Sequence, residues 1–555
     1  MCGSEGAALG VLRGFLLMAG MFSLNHGAAV ACLSFAVAEL GTRVGNASSG
    51  SLYLSFMVTA LFLSSAVVAR LGAKGGLLLG TSLYASYVLS FVVAAGLARG
   101  GANQEDASVW TVAVVGGVLG GVAAGILLTA SGAYFSYAAR DYAVARGNGC
   151  TFEASTTKLS GFMAGIFVGT EVVCKLLASL IVYTTGTWIW MAIVFLGISL
   201  LSALGMTRIR SVFASDTLVG NNSQDNSDVS SSSLHYHQDD DCNVMSDRVL
   251  LDGQDISPVA EDIIISVGSN NNGSLGNNNN NDDGDKSSVG KGTTSDAAVL
   301  RLQHQPQSRL AVTASVLQVL AAWVHDPRLL LAGGVNLAFG LCSAYLTSYL
   351  NGIVVKAEYS GSAVGLFAAI TPAVSGVSAL PFAYFARKVG TKTPFMALAS
   401  LAAGTVAVLG LALDTSELGA LGVLLCLYVL EGWLRCVFEG INKAVFADLF
   451  LGQSEVAFAT LIVQSGGASA LAFWMMSVGV NERFVAAATL IAAVAAMPMF
   501  LCAQQMRWAV DIKQFQRNPT SGALSTDRRR RKWGHGGAGD DGDLFGEDQT
   551  QYLVS

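Results

Sequence analysis

Charge is scarce in this sequence. Only 13% of its 555 residues are Asp, Glu, Lys or Arg, about half of the ~25% found in ordinary soluble domains. This shortage excludes a soluble enzyme with a conventional hydrated surface. Proline is also rare, with eight residues, whereas glycine is abundant with 63 and hydrophobic residues make up 52%. Such a composition is typical of helices that pack closely in a lipid bilayer.

Motifs for metals, cofactors and nucleic acids are missing as well. The nine cysteines include no C-x-x-C pair, which argues against a zinc site, a redox motif or a disulfide framework. The stretch "SVGKGTTS" resembles a phosphate loop, but Gly292 follows Lys291 where Ser or Thr is required. We therefore expect no metal, no cofactor, no nucleic-acid partner and no enzymatic activity.

Long apolar runs dominate the remainder of the chain. A membrane-spanning helix needs roughly 20 apolar residues, and the sequence offers twelve such candidates. They are 11–38, 51–70, 76–98, 109–137, 159–183, 187–207, 329–352, 361–385, 394–413, 418–443, 455–478 and 484–505. The sequence thus predicts an all-α polytopic membrane protein with twelve transmembrane helices.

A short repeat indicates that these spans form two similar halves. "ARLGAK" follows the second span and "ARKVGTK" follows the eighth. The repeat aligns three residues of each half at a constant offset: Arg70, Gly72 and Lys74 correspond to Lys388, Gly390 and Lys392. We interpret these six residues as matching gating turns in two six-helix pseudo-repeats.

Composition divides the chain into four regions: an N-terminal six-helix bundle at 1–210, an insert at 211–325, a C-terminal six-helix bundle at 326–506 and a tail at 507–555. The acidic insert, rich in Asn and Ser, has too little apolar surface to fold and is expected to be a disordered loop. Basic residues accumulate on the cytoplasmic side of membrane proteins, and their distribution predicts that both termini and the insert are cytoplasmic. The polybasic cluster Arg528–Trp533 is interpreted either as a site for membrane lipids or as a topology or trafficking signal.

One glycosylation sequon falls in the first predicted outer loop. Asn46-Ala47-Ser48 has the acceptor pattern, so Asn46 is a candidate glycan site of a glycoprotein. The alternative is that this loop lies too close to the membrane to be modified.

Four charged residues lie in the tenth predicted span, where each interior charge costs roughly 2.5–3.5 kcal/mol. Glu431, Arg435, Glu439 and Lys443 follow one another at intervals of four. Side chains four apart lie on one helix face, so each charge is expected to pair with its neighbour of opposite sign. That face should line the bundle interior or a wet cavity.

Glu171 and Lys175 form a second pair, again four apart, in the fifth span. Charged groups at this depth are candidate functional residues, although an ion-pair clasp between helices is the alternative. We predict a central cavity for a substrate or ion, and its candidate residues are Glu171, Lys175, Glu431, Arg435, Glu439 and Gln464.

Two six-span halves with basic turns resemble the major facilitator superfamily, although Ala69 and Arg387 occupy the positions where that family usually has an Asp. Three further stretches resemble its uncoordinated-ninety-three branch: residues 131–143, 439–450 and 452–473. The residues that carry this resemblance are Gly132, Tyr134, Tyr142, Ala143, Asn442, Gln464, Ser465 and Gly466.

The resemblance implies a major facilitator fold and a protein that regulates or mediates ion transport, with potassium as the expected ion. Its partner would be an ion channel or another membrane protein. The buried charges favour an alternative, a secondary transporter of a small ion or solute, and the family adds a third, a trafficking chaperone for membrane receptors. The plasma membrane and an endolysosomal or vacuolar membrane are both candidate locations.

Overall fold

The computed structural model describes residues 2–101, 103, 106–146, 151–210, 323, 325–450 and 454–517. Every regular element in these ranges is a helix. Nearly all of the predicted insert, together with the polybasic cluster Arg528–Trp533, lies outside them.

The first half contains six helices, because its apolar runs are long and are broken only by short polar turns. They are α1 (Cys2–Leu40), α2 (Thr42–Phe62), α3 (Ser64–Arg99), α4 (Ala107–Arg146), α5 (Phe152–Thr185) and α6 (Trp188–Thr207). Helix α1 packs against all five of the others, and α3 also packs against α4 and α6. This half is therefore a bundle around α1.

The second half has more elements, because π turns and short helices interrupt its spans. They are α7 (Arg328–Leu331), α8 (Gly334–Tyr345), π1 (Leu346–Val355), α9 (Lys356–Glu358), α10 (Ala363–Val389), α11 (Thr393–Ala412), α12 (Thr415–Leu418), α13 (Leu421–Cys436), π2 (Val437–Asn442), α14 (Lys443–Leu449), α15 (Ser454–Ser477) and α16 (Glu482–Arg517). Helix α8 packs against α15 and α16, and α10 packs against α13.

Eleven helices in the described residues are long and apolar enough to cross a membrane, which confirms a multi-span helical protein. The predicted segment 51–70 is not among the eleven. Its helix α2 begins earlier, at Thr42, and its first half is polar and rich in serine. Helical hydrogen bonds from Leu63 to Thr59 and from Val67 to Leu63 continue α2 into the first turns of α3.

The two gating turns share one backbone feature. Gly72 and Gly390 both have a φ of 72°, in the region that only glycine adopts without a steric penalty. Gly72 breaks the helical geometry within α3, and Gly390 caps α10. Their ψ angles differ, 168° at Gly72 and 1° at Gly390, so the two positions share a requirement for glycine but not one backbone conformation.

Asn46 does not lie in an outer loop. It is fully buried inside α2, and its side-chain amide has no hydrogen-bond partner among the described residues. This placement contradicts the predicted glycan site, since a glycan is bulky and needs an exposed asparagine.

The halves meet mainly along two interfaces, α2 against α15 and α5 against α10. If the spans are numbered within each half, α2 and α10 are the second spans and α5 and α15 are the fifth spans. Each interface therefore joins the second span of one half to the fifth span of the other. Helix α1 also crosses to π1 and α10 of the other half. Side chains that project from α5 and α13 towards this boundary can therefore reach one another.

Candidate functional site

Four charged side chains from opposite halves meet between α5 and the end of α13. Helix α5 supplies Glu171 and Lys175, the last turn of α13 supplies Arg435, and π2 supplies Glu439. We call these four residues the charge cluster. The structure brings together residues that the sequence predicts as two separate pairs.

Glu171 is the centre of the charge cluster. Its carboxylate accepts a hydrogen bond from Lys175 Nζ at 2.8 Å and two from Arg435, Nη1 at 2.8 Å and Nη2 at 2.7 Å. The side chain of Glu171 is only 1% exposed. A buried carboxylate is tolerated when opposite charges and hydrogen bonds satisfy it, and the paired contact with Arg435 is the strong bidentate type.

The remaining contacts connect this centre to two more elements. Arg435 Nε donates to Glu439 Oε1 at 2.9 Å, and Lys175 Nζ donates to the Ala368 carbonyl of α10 at 3.3 Å. The pairs Glu171–Lys175 and Arg435–Glu439 thus have the geometry expected from their four-residue spacing.

Glu431 does not pair with Arg435, contrary to expectation, because the Arg435 guanidinium points to Glu171 and Glu439 instead. The Glu431 carboxylate accepts a hydrogen bond from the Ser343 hydroxyl of α8. Its Oε2 atom is buried and has no hydrogen-bond partner in the described part of the chain.

The expected pair of Glu439 with Lys443 is likewise absent from the ion pairs of the described residues. Lys443 follows π2, the wide turn Val437–Asn442. A π turn bonds residue i to i+5 rather than i+4, so a four-residue spacing no longer places two side chains directly above one another.

Gln464 lies in a chain of amides rather than in the charge cluster. Asn442 Nδ2 donates to Asn336 Oδ1 at 2.5 Å, Asn336 Nδ2 donates to Gln464 Oε1 at 2.7 Å, and Gln464 Nε2 donates to the Leu329 carbonyl at 3.0 Å. This amide chain connects π2, α8, α15 and α7. It anchors the π turn within its own half.

Aromatic rings lie beside the charge cluster in the first half. The His26 ring stacks on Phe167 with centroids 4.8 Å apart, and Tyr84 Oη lies 3.4 Å from His26 Nδ1. His26 is close enough to all four members of the charge cluster, the two acids and the two cations, for electrostatic interaction. The charged groups therefore face a partly aromatic wall.

A second aromatic pair lies between the halves. Tyr53 of α2 stacks on Phe473 of α15, with centroids 5.6 Å apart and ring planes inclined by 15°. Tyr53 lies within electrostatic range of Arg435 and Glu171. Sequence reasoning missed Tyr53 and Ser343, because a tyrosine or serine in an apolar run carries no local signal of what it faces.

The gating turns make their contacts within each half. Lys74 Nζ donates to the Ile209 carbonyl just after α6 at 2.6 Å, and Lys392 Nζ pairs with Asp448 at 2.6 Å. Arg70 and Lys388 are exposed. Both lysine contacts are thus made within one half.

Two of the family-like tyrosines bond at the predicted cytoplasmic end. Tyr134 Oη donates to the Arg210 carbonyl at 3.5 Å, and Lys158 Nζ donates to Tyr142 Oη at 3.2 Å. Gly132 has open space beside its Cα. These residues stabilise the end of the bundle and do not contact the charge cluster.

Asp326, just before α7, has a local ion pair. Arg328 Nη2 lies 2.6 Å from Asp326 Oδ2, and Arg328 Nε donates to Oδ1 at 2.8 Å. These hydrogen bonds hold the pKa of the Asp326 carboxyl below its usual value.

Contacts between halves continue on the predicted outer side. Lys356 Nζ donates to the Ala38 carbonyl, and Ser477 Oγ donates to the Arg43 carbonyl at 3.0 Å. Further hydrogen bonds between the halves lie at the charge cluster. We call the contacts of Lys356 and Ser477 the outer seal.

The fold and this polar interface define an all-helical multi-span membrane protein with the major facilitator fold. The chain is similar to a solved structure of the nucleoside transporter NupG and to that of a point mutant of it. Both have a TM-score of 0.53 and 12% identity; the mutant alignment covers 90% of this chain and 99% of NupG, and the other covers 89% and 98%. A solved D-xylose–proton symporter has a TM-score of 0.49 at 13% identity, covering 89% of this chain and 96% of the symporter.

Sequence identity at this level establishes a shared fold, but it does not establish a shared family or function. No protein-family model matches the chain, and no curated protein matches it. The fold agrees with the prediction of an all-helical polytopic membrane protein. No group of three or more His, Cys, Asp or Glu that could hold a metal occurs in the described residues.

Proposed function

We propose that this protein is a secondary transporter that moves a small solute by alternating access of a site between its two halves. The observation that carries the proposal is the paired contact of Glu171 with Arg435, which joins the halves by charged groups at the middle of the helices. Ionisable groups at this depth are costly and typically mark a solute or ion pathway.

The distribution of contacts between the halves supports this mechanism. The outer seal and the charge cluster both join the halves by hydrogen bonds, whereas Lys74 and Lys392 bond within their own halves. In alternating access the rocking halves close one side of the site at a time, and the outer seal is a contact that closes the outer side. In the opposite state the outer seal must open.

The shared fold with NupG adds support of a limited kind. NupG is a nucleoside transporter, and its alignment with this chain covers nearly the whole of both chains. Transfer of that activity to this protein is a proposal, so nucleosides belong in the first panel of solutes to be tested, beside charged and neutral compounds of similar size.

A reversible crosslink across the outer seal tests the mechanism. A Cβ atom added at Gly352 would lie 2.7 Å from Val37 Cβ, which requires a shift of about 1 Å to reach the ~3.8 Å of a disulfide. We expect that oxidation of the pair Val37→Cys and Gly352→Cys stops uptake into proteoliposomes, and that reduction restores it.

The matched control is a crosslink within one half. A Cβ atom added at Gly80 would lie 2.9 Å from Leu127 Cβ, so Leu127→Cys with Gly80→Cys brings a similar strain to α3 and α4. Uptake by this variant should not depend on oxidation. Equal inhibition of both pairs, or none in either, would contradict alternating access.

The predicted regulation of a potassium channel depends on the resemblance of residues 131–143, 439–450 and 452–473 to the uncoordinated-ninety-three branch. It differs from transport in one measurable respect. A regulator would change currents when a channel is co-expressed and would be silent alone in liposomes, whereas a transporter would show solute uptake that Glu171→Gln abolishes.

A further inference from the structure

The charge cluster exposes its four members unequally. The Glu439 side chain is 35% exposed, compared with 15% for Arg435, 7% for Lys175 and 1% for Glu171. A solute that enters between the halves would therefore reach the Glu439 carboxylate first.

The two cations of the cluster are already occupied. Arg435 directs Nη1 and Nη2 to Glu171 and Nε to Glu439, and Lys175 bonds Glu171 and a backbone carbonyl. Glu439 accepts its hydrogen bond at Oε1, and Oε2 makes none in the described part of the chain. The atom of the cluster that is left to bind a ligand is thus Oε2 of Glu439, a carboxylate oxygen that can accept a hydrogen bond.

A second carboxyl group lies on the same span. Glu431, eight residues before Glu439, is 3% exposed, has no ion pair in the described residues and leaves Oε2 without a hydrogen-bond partner. Burial without a counter-ion disfavours the charged form of a carboxylate, so Glu439 carries the negative charge that a ligand would meet. Lys443 is half-buried one turn further along and forms no ion pair with Glu439 in the described chain.

Aromatic surface accompanies the exposed acid. His26 and Phe167 are stacked and partly exposed, and Phe167 lies one helical turn before Glu171, which shares Arg435 with Glu439. Aromatic faces attract organic cations through their quadrupole. An acid beside stacked rings is therefore suited to a ligand that combines a positive charge with an apolar part.

We propose that the solute is an organic cation, in which a protonated amine binds Glu439 and an apolar or aromatic part packs against His26 and Phe167. This inference rests on the proposed transport function and specifies its substrate class. The amine would donate to the free Oε2 atom of Glu439, while Arg435 keeps its bond to Oε1.

Three probes with the same aromatic ring test which ligand charge the site prefers. They are benzylamine, a cation; benzyl alcohol, a neutral molecule; and benzoate, an anion. Binding to the purified full-length protein in detergent is measured by calorimetry, without reference to transport. We expect benzylamine to bind about tenfold more tightly than either other probe, a factor that corresponds to about 1.4 kcal/mol.

Variants of the protein test whether the preference for benzylamine depends on the Glu439 carboxylate. Glu439→Gln should weaken benzylamine binding by about tenfold or more, Glu439→Asp should retain most of it, and Lys443→Gln should leave it unchanged or strengthen it. Melting temperatures of the variants identify any that fail to fold. If Glu439→Gln does not fold, Glu439→Asp and Lys443→Gln still test whether the affinity follows the charge at this position.

Tighter binding of benzoate, equal binding of all three probes or no binding of benzylamine at millimolar concentration would overturn the inference. Unchanged affinity in a folded Glu439→Gln variant would do so too. Uptake of benzylguanidine, which is protonated at neutral pH and keeps N–H donors for Glu439, tests transport separately, with protein-free liposomes as the control for leakage. Benzylamine binding without such uptake counts against transport alone, and uptake restricted to anionic solutes counts against the cation class alone.

Discussion

The substitution Glu171→Gln tests the energetic role of the charge cluster. The carboxylate is 1% exposed and accepts three charge-assisted hydrogen bonds of 2.7–2.8 Å. Glutamine has the same shape but no charge, so Lys175 and Arg435 would be left as buried cations. Removing one partner of a buried ion pair costs about 3–5 kcal/mol. Because Arg435 keeps Glu439, we expect destabilisation near the lower end, about 3 kcal/mol.

A double-mutant cycle separates the pair from its surroundings. Arg435→Met alone removes the guanidinium from Glu171, and the double variant removes both partners at once. Contacting residues typically show coupling energies of about 0.5–3 kcal/mol, and the bidentate geometry places this pair in the upper part of that range. The free energy of unfolding would be measured by reversible denaturation of the purified protein in mixed micelles.

An exposed ion pair provides the control. Arg483 lies 3.0 Å from Asp414, but the two side chains are 55% and 78% exposed. Such pairs contribute at most about 1 kcal/mol, so Arg483→Met should have little effect. The reasoning would be refuted if Glu171→Gln were no more destabilising than Arg483→Met, or if the coupling energy of Glu171 with Arg435 were zero within error.

Three further predictions concern polar groups outside the charge cluster. Gln464→Leu should destabilise the second half by about 2 kcal/mol, since it leaves buried amide partners unsatisfied, and a lowered melting temperature would report this. Lys74→Met removes the bond to the Ile209 carbonyl and should cost about 1 kcal/mol in chemical denaturation; an unchanged midpoint would contradict it. Because Arg328 lowers the pKa of Asp326, the pair contributes fully above the usual pKa of an aspartate and less as pH falls through the lowered one. The stability difference between the protein and Asp326→Asn should therefore shrink on acidification, and a difference that grows would disprove it.

Local sequence patterns were sufficient for much of the fold. The scarcity of charge and the long apolar runs predicted spanning helices, because a segment that must satisfy its backbone in lipid has few alternatives to a helix. The short repeat predicted two matching turns, and Gly72 and Gly390 share a φ of 72° but differ in ψ, which is 168° and 1°. A four-residue spacing also anticipated the contact of Arg435 with Glu439.

The same patterns failed for polar residues whose side chains form hydrogen bonds inside the bundle. The serine-rich start of α2 was interpreted as a loop, yet it is a buried helix. Ser48 donates to the Ala113 carbonyl of α4 at 2.8 Å, and Ser49 donates to Gly45 of its own helix at 2.9 Å. Small hydroxyl groups can be buried in this way, so polarity alone did not place Asn46 at the surface.

The sequence by itself determined that the chain crosses a membrane repeatedly, which follows from composition. It also determined that some spans contain charged residues on one helix face, which follows from their spacing. Only the tertiary structure decided which charges meet. Glu171 and Arg435 are 264 residues apart, and Arg435 pairs with Glu171 rather than with nearby Glu431. Helical periodicity specifies the face on which a side chain lies, whereas its partner depends on how the two halves dock.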